Sequence, residues 1–286
     1  MKVVFYVFAF VLGAAFGSFL CCQAWRLRLT EKGKGKKSGL GKRSVCLECK
    51  KTLKWYDNIP IVSWLVLRGK CRYCKKKIGA SEIIAEVLTG VVFLILARVF
   101  LVDFGGELLF NNALFATSHS ASIQDILLYT SFFVLILLSL VLVFLAIYDG
   151  KWGELPTVFL IIDCVLAAAF WGLKGFAAGF SVEYFWHTLG ALAILAGLYQ
   201  LLYLISKGRW VGDGDAILCI ALALVIGNAW LAIFLLFIAN TLGCLYGLPG
   251  MIKGKKNLKI YFGPFLVAAL FIILLLKDYL LGLIVF

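Results

Sequence analysis

The stretch Val211-Gly212-Asp213-Gly214-Asp215 lies at the seam between two apolar runs, 184–205 and 215–226. Lipid supplies no water to solvate a carboxylate, so acids at the mouth of a membrane helix point to function. The flanking glycines keep side chains off the backbone beside the acids, which leaves room for a peptide to approach. A matching acid, Asp149 in Ala146-Ile147-Tyr148-Asp149, closes an earlier apolar run. Two carboxylates brought by different helices to one membrane face form the constellation of an aspartyl hydrolase. Two unrelated interfacial acids are the competing reading at this level.

Working outward, composition decides the class. The chain has 286 residues, of which 63% are hydrophobic and 15% charged, and its mean hydropathy is +1.00. A soluble domain carries about 25% charged residues, so the chain reads as an all-α polytopic membrane protein. Its net charge of +13 is concentrated: 17 of 28 Lys and Arg fall between Arg26 and Lys77. Cytoplasmic loops of membrane proteins collect such charge. No nucleic-acid partner is therefore expected, whereas anionic lipid head groups are natural neighbours of the polybasic strip.

Eight apolar runs follow one another: 3–23, 83–102, 123–147, 157–173, 184–205, a short 215–226, 229–250 and 264–285. The first could mimic a signal peptide, but the basic segment behind it resists translocation, so it reads as a retained helix. With both termini outside, 24 of 28 basic residues fall on the cytoplasmic side: the 17 above, Lys151, Lys207, Arg209 and the four lysines of 253–259. Asp149 and Asp215 then share that face. Residues 30–44 are rich in Lys and Gly without apolar periodicity, which predicts a solvated tether. Three parts are expected: a first helix over 1–24, a basic loop with a metal-binding domain over 25–81, and a membrane domain over 82–286.

Within the loop, Cys46-Leu47-Glu48-Cys49 and Cys71-Arg72-Tyr73-Cys74 are separated by 21 residues. Two Cys-x-x-Cys knuckles at this spacing predict a four-thiolate zinc site, Cys46, Cys49, Cys71 and Cys74. Two disulfides suit a reducing compartment poorly, and a redox pair has no need of the repeat. Four protein ligands leave no place for water, so the zinc is structural.

In this order the residues resemble the type IV prepilin peptidases, bacterial membrane aspartyl proteases of the Gly-x-Gly-Asp class. The resemblance is carried by Gly17-Ser18-Phe19-Leu20, the cysteine loop with Trp55-Tyr56-Asp57-Asn58-Ile59-Pro60, and Glu86. It continues through Asp149 with Leu155-Pro156, Gly212-x-Gly214-Asp215, and Phe262-Gly263-Pro264-Phe265. Departures are Cys21-Cys22 where the family has Asn, Glu82-Ile83 where it often has Tyr-Pro, and Ile217 where Lys is common. The resemblance implies cleavage of the basic leader of type IV prepilins, or of pilin-like secretion and competence subunits. Cutting follows a Gly at the cytoplasmic face of the bacterial inner membrane. Asp149 and Asp215 would be catalytic, with Gly212, Asp213, Gly214 and Glu86 around the substrate or active-site loop. A second activity is implied as well, N-methylation of the new N-terminus with S-adenosylmethionine.

Other readings stay open on the residues alone. Asp213 or Glu154 could replace one of the paired acids; Glu48, Asp57, Glu82, Glu86, Glu154 and Asp213 could face a basic leader. Asp163, and Glu183 with His187, read as structural hydrogen bonding, and Cys21 and Cys22 as helix packing. A transporter or a non-catalytic zinc-bearing membrane protein would be the alternative function. A transporter, however, favours acids at mid-bilayer and broken helices.

Overall fold

The computed structural model of the chain describes residues 2–31, 44–46, 48–104, 123–209, 211–252 and 260–283. The expected tether and both longer polar loops, 105–122 and 253–259, lie mostly or wholly outside them. The contacts divide the chain into two units, Met1–Ala97 and Arg98–Phe286.

The first unit begins with α1 (Lys2–Glu31). It is longer than the apolar run because Gln23 to Glu31 contains no helix breaker. A short 3-10 turn (Trp55–Asn58) and α2 (Val62–Val66) follow. Then comes α3 (Ala80–Asp103), whose last turns belong to the second unit. Ala9, Gly13, Gly17, Cys21 and Ala24 form the buried stripe of α1. A Cβ on Gly13 would fall 2.7 Å from Phe93 Cβ, and one on Gly17 2.8 Å from Thr89 Oγ1. Small residues four apart let α1 press its backbone onto α3, the usual route to helix pairing in lipid. Phe16 stacks on Phe93 at 5.6 Å beside this seam. Cys21 is 3% exposed, in keeping with a packing role.

The second unit holds α4 (Ile123–Trp152), α5 (Thr157–Ala178), α6 (Val182–Ser206), α7 (Asp213–Ile226), α8 (Ala229–Ile252) and α9 (Gly263–Gly282). Gly153, at φ +67°, ends α4 by donating its N–H to the Asp149 carbonyl at 2.7 Å. α5 then runs back along α4, with Phe144 and Phe159 at 4.3 Å. Gly227, at φ +58°, caps α7, and the Asn228 side chain accepts from the Trp230 and Leu231 N–H groups to start α8. The expected Gly227-Asn228 turn is thus a C-cap followed directly by an N-cap.

Among the described residues, seven helices are long and apolar enough to cross a membrane. The eighth expected run is α7, 14 residues that bury Ala216, Leu218, Cys219, Ala221, Leu222 and Ala223 among its neighbours. The protein is an all-helical, multi-pass membrane protein, and the two units carry its two sites.

Candidate active site and metal centre

Asp149 stands one turn before the end of α4 and is 5% exposed. Its Oδ2 accepts the Gly263 N–H at 3.0 Å. That N–H is free because Gly263 is the first residue of α9, where no carbonyl of a preceding turn exists to receive it. A Cβ on Gly263 would lie 2.7 Å from the same oxygen, so only glycine fits. The motif Phe262-Gly263-Pro264 supplies a bare backbone, a donor and, in Pro264, a helix start without a further N–H.

Asp215 occupies the third position of α7, where its Oδ2 accepts the Gly212 N–H at 3.3 Å. The side chain thereby caps its own helix, and the N-terminal end of the dipole faces a carboxylate. Asp149 feels the Asp215 charge directly, so the two carboxylates lie within Coulombic reach. Gly214 has a packing reason beyond access for a peptide: a Cβ there would fall 2.9 Å from Leu155 Cβ. The Leu155-Pro156 corner thus presses against the Gly-x-Gly-Asp turn.

Asp213 is exposed, two residues away, with no hydrogen bond among the described residues. Glu154 is exposed on the α4–α5 corner. Two residues at this site escaped the sequence reading. One is the part played by Gly263. The other is Tyr199, 4% exposed, with its ring 5.9 Å from Phe262 and its hydroxyl within the field of Asp215. Tyr199 follows a single π turn, Ala193–Gly197, inside α6. Such bulges rotate the residues after them and cluster at functional sites. No sequence signal marks it.

The remaining membrane acids are not drawn to the pair. Asp163 is fully buried on α5 with both oxygens unpartnered among the described residues. The structural hydrogen bond expected of it is absent there. Glu183 meets His187 at 3.6 Å on an exposed turn.

In the first unit the four cysteine sulfurs all lie within 4.8 Å of one another, with Cys46 and Cys74 at 3.9 Å. A tetrahedral zinc with sulfurs at ~2.3 Å sets them about 3.8 Å apart, so the cage fits the ion. Each knuckle is the same tight turn. Lys50 donates to the Cys46 carbonyl at 2.9 Å and Lys75 to the Cys71 carbonyl at 3.0 Å, both lysines at positive φ. Burial pushes the Cys71 thiol up, but the Cys74 and Tyr73 N–H groups and the adjacent thiols bring it down to about 7. At Cys74 the Lys76 N–H acts downward, yet burial and the three other sulfurs outweigh it and push the thiol up to about 11. Four sulfurs this close ionise together only around a cation.

Glu86 belongs to this unit. Its Oε2 accepts the Ile61 N–H at 2.7 Å, tying the loop between the knuckles to α3. Glu48 pairs with Lys76, and Asp57 with Arg72 at 2.7 Å, so neither is left to face a leader alone.

Fold and sites define a multi-pass membrane protein with a four-thiol knuckle and a buried aspartate, Asp149, facing a half-buried one, Asp215. Residues 11–100 match the Bacterial Peptidase A24 N-terminal domain. The chain is 42% identical over 96 residues to a prepilin leader peptidase/N-methyltransferase of Myxococcus xanthus, covering 34% of this chain and 27% of the relative. It is 27% identical over 235 residues to that of Neisseria gonorrhoeae, covering 82% and 71%. With the Dichelobacter nodosus protein of the same name it shares 29% over 229 residues, covering 79% and 68%. No solved structure matches significantly. Over about four-fifths of its length the chain is thus similar to bacterial proteins named prepilin leader peptidase/N-methyltransferase, while its match to the Myxococcus xanthus relative spans only 27% of that protein.

Proposed function

We propose that this chain is a membrane aspartyl endopeptidase that removes the basic leader of type IV prepilins or pilin-like subunits after a Gly. What supports the reading is one observation: two carboxylates from separate helices lie within Coulombic reach, each held by one backbone N–H. Two such groups share a single proton and titrate as a pair. The ionised member takes a proton from water as it attacks the scissile carbonyl, and the protonated member donates to the carbonyl oxygen. The proton then passes to the departing amine. Neither Ser nor Cys forms a covalent intermediate.

In this reading 1–24 is the first membrane helix, 25–81 the cytoplasmic knuckle region and 82–286 the peptidase domain of a bacterial inner-membrane protein. Gly212, Asp213, Gly214 and Glu86 border the substrate. Zinc on Cys46, Cys49, Cys71 and Cys74 is structural. Relatives carry the methyltransferase name, and S-adenosylmethionine, when bound, supplies the methyl group for the newly exposed amine.

The test is cleavage of a membrane-embedded prepilin by purified protein beside Asp149→Asn and Asp215→Asn. Both variants should lose cleavage by a factor of about 10³ or more while keeping their metal. If Asp215→Asn still cuts, the assignment of the second acid falls and Asp213 is next to be tried.

A further inference from the structure

The two faces of α2 differ. Ser63, Trp64 and, just past its end, Leu67 line a cavity of about 700 Å³ between the C-terminal half of α1, the first turns of α3 and both knuckles. Trp64 closes over Gly69, where a Cβ would fall 2.8 Å from the indole. The opposite face holds Val62, Leu65 and Val66, whose spacing of three and four puts them on one side of the helix. They are 52%, 58% and 70% exposed, and Trp55 in the preceding 3-10 turn is 78% exposed. Apolar residues scattered singly on a surface are ordinary, whereas a contiguous apolar face marks an interaction site.

The level at which α2 begins decides what covers this face. Ile61, just before it, holds φ +61° and ψ −53°, and the Val62 N–H donates to the Pro60 carbonyl at 2.5 Å across it. A γ-turn of this hand is rare and strained. It is tied down by the Ile61 N–H, which donates to Glu86 Oε2 at 2.7 Å. Glu86 lies inside the apolar run 83–102 and faces Gly17, where a Cβ would fall 2.9 Å from the Glu86 Cα. Gly17 comes six residues before the end of the apolar run 3–23, about 9 Å along the helix axis. The start of α2 is therefore drawn to the edge of the slab that α1 and α3 cross. Helices that lie in a membrane interface sink their apolar face about 5–10 Å into the head-group and acyl boundary, and α2 starts at that depth. Phe19 of α1 and Ile84 and Leu88 of α3, at the same level, are exposed as well.

Charge separates lipid from a peptide occupant. Asp57 pairs with Arg72 and Glu48 with Lys76. Lys54, Arg68 and Lys70 are exposed close to the apolar residues along the chain and have no ion pair among the described residues. An apolar face with a tryptophan and a basic margin fits an anionic lipid surface. It suits a basic leader poorly, because like charges would meet. We infer that α2 and its preceding turn form an interfacial membrane anchor. Val62, Leu65 and Val66 seat among the acyl chains of the leaflet beside the basic loop, Trp55 lies at the head groups, and Lys54, Arg68 and Lys70 meet anionic lipid. The inference is independent of the peptidase reading and fixes where the knuckles are held.

The experiment is photo-cross-linking of the full-length protein in vesicles of phosphatidylethanolamine with phosphatidylglycerol as the minor lipid. A benzophenone amino acid is introduced singly at Leu65, at Val66, at Leu67 on the inner face, and at Phe237, an exposed residue of the membrane-crossing α8. Adducts are identified by mass spectrometry, with and without a prepilin. Lipid adducts are expected at Leu65 and Val66 in yields like that at Phe237, with loss of the adduct at Leu67. Absence of lipid adducts at Leu65 and Val66, or an equal yield at Leu67, overturns the inference. So does an adduct from Leu65 or Val66 to the second unit, to a second copy of the chain or to the prepilin, since each names another occupant. A second readout needs no bulky label. Lipids brominated in the acyl chains should quench less emission in Trp55→Phe than in wild type, one of eight tryptophans having been removed. Equal quenched emission in the two proteins also overturns the anchor.

Discussion

Gly263 illustrates how little separates a carboxylate that is merely buried from one that is aimed. A backbone donor at 3.0 Å costs no side-chain entropy and cannot swing away, so the Asp149 carboxylate has one orientation. The sequence shows Gly263 as part of a four-residue string near a helix start, and nothing in that string says which acid it serves. The contact joins residues 114 apart. Gly263→Ala is expected to force Asp149 off its position and to cut cleavage roughly a hundredfold, since displacements near 1 Å have that effect. Metal content and thermal stability should stay close to wild type, as the metal cage belongs to the other unit. Cleavage at wild-type rate by Gly263→Ala would show that Asp149 tolerates the methyl group and needs no such aim.

At the scale of elements, the knuckles are the clearest case of local sequence deciding local structure. Cys-x-x-Cys-Lys occurs twice, and both copies fold as the same turn with the final lysine at positive φ. Such a conformation costs a lysine about 1–2 kcal/mol, a cost that zinc binding by the four sulfurs would offset in the proposed reading. Cys71→Ser should take zinc from about one ion per chain to nearly none by elemental analysis. Loss of the metal should also loosen the tie between Glu86 and Ile61, read as faster amide exchange at Ile61. Retention of full zinc by Cys71→Ser would mean that three thiolates suffice.

The short helix α7 makes a second point at this scale. Its 14 residues rise only ~21 Å, less than the ~30 Å of a bilayer core. If its Gly227 end reaches one surface, its acidic end stops below the other. A carboxylate pair can then stay out of bulk water and still meet a peptide bond near the membrane face.

For the whole molecule, charge sets orientation. A reporter fused within the basic loop at Asn257 should register as cytoplasmic, and one within the acidic loop at Asn112 as external, because lysine-rich loops are retained inside. The opposite pattern would put the paired aspartates on the wrong side for a cytoplasmic leader. The membrane class, the helix order and the gathering of the four cysteines all follow from sequence, because each rests on composition or on short, repeated motifs. Apolar length, the spacing of four cysteines and the bias of lysines require no knowledge of tertiary contacts. The same holds for the Gly227-Asn228 turn, where a C-cap and an N-cap are adjacent. What only the tertiary structure decided are contacts between distant segments: Gly263 on Asp149, the π turn that brings Tyr199 toward Asp215, and Glu86 pinning Ile61. The unpartnered Asp163 and the cavity between α1, α3 and the knuckles are of the same kind. Their cause is packing across helices, and apolar stripes alone do not encode which residues of two helices meet. A close approach of small residues such as Gly13 and Gly17 to α3 fixes that register, and it becomes visible only when the helices are side by side.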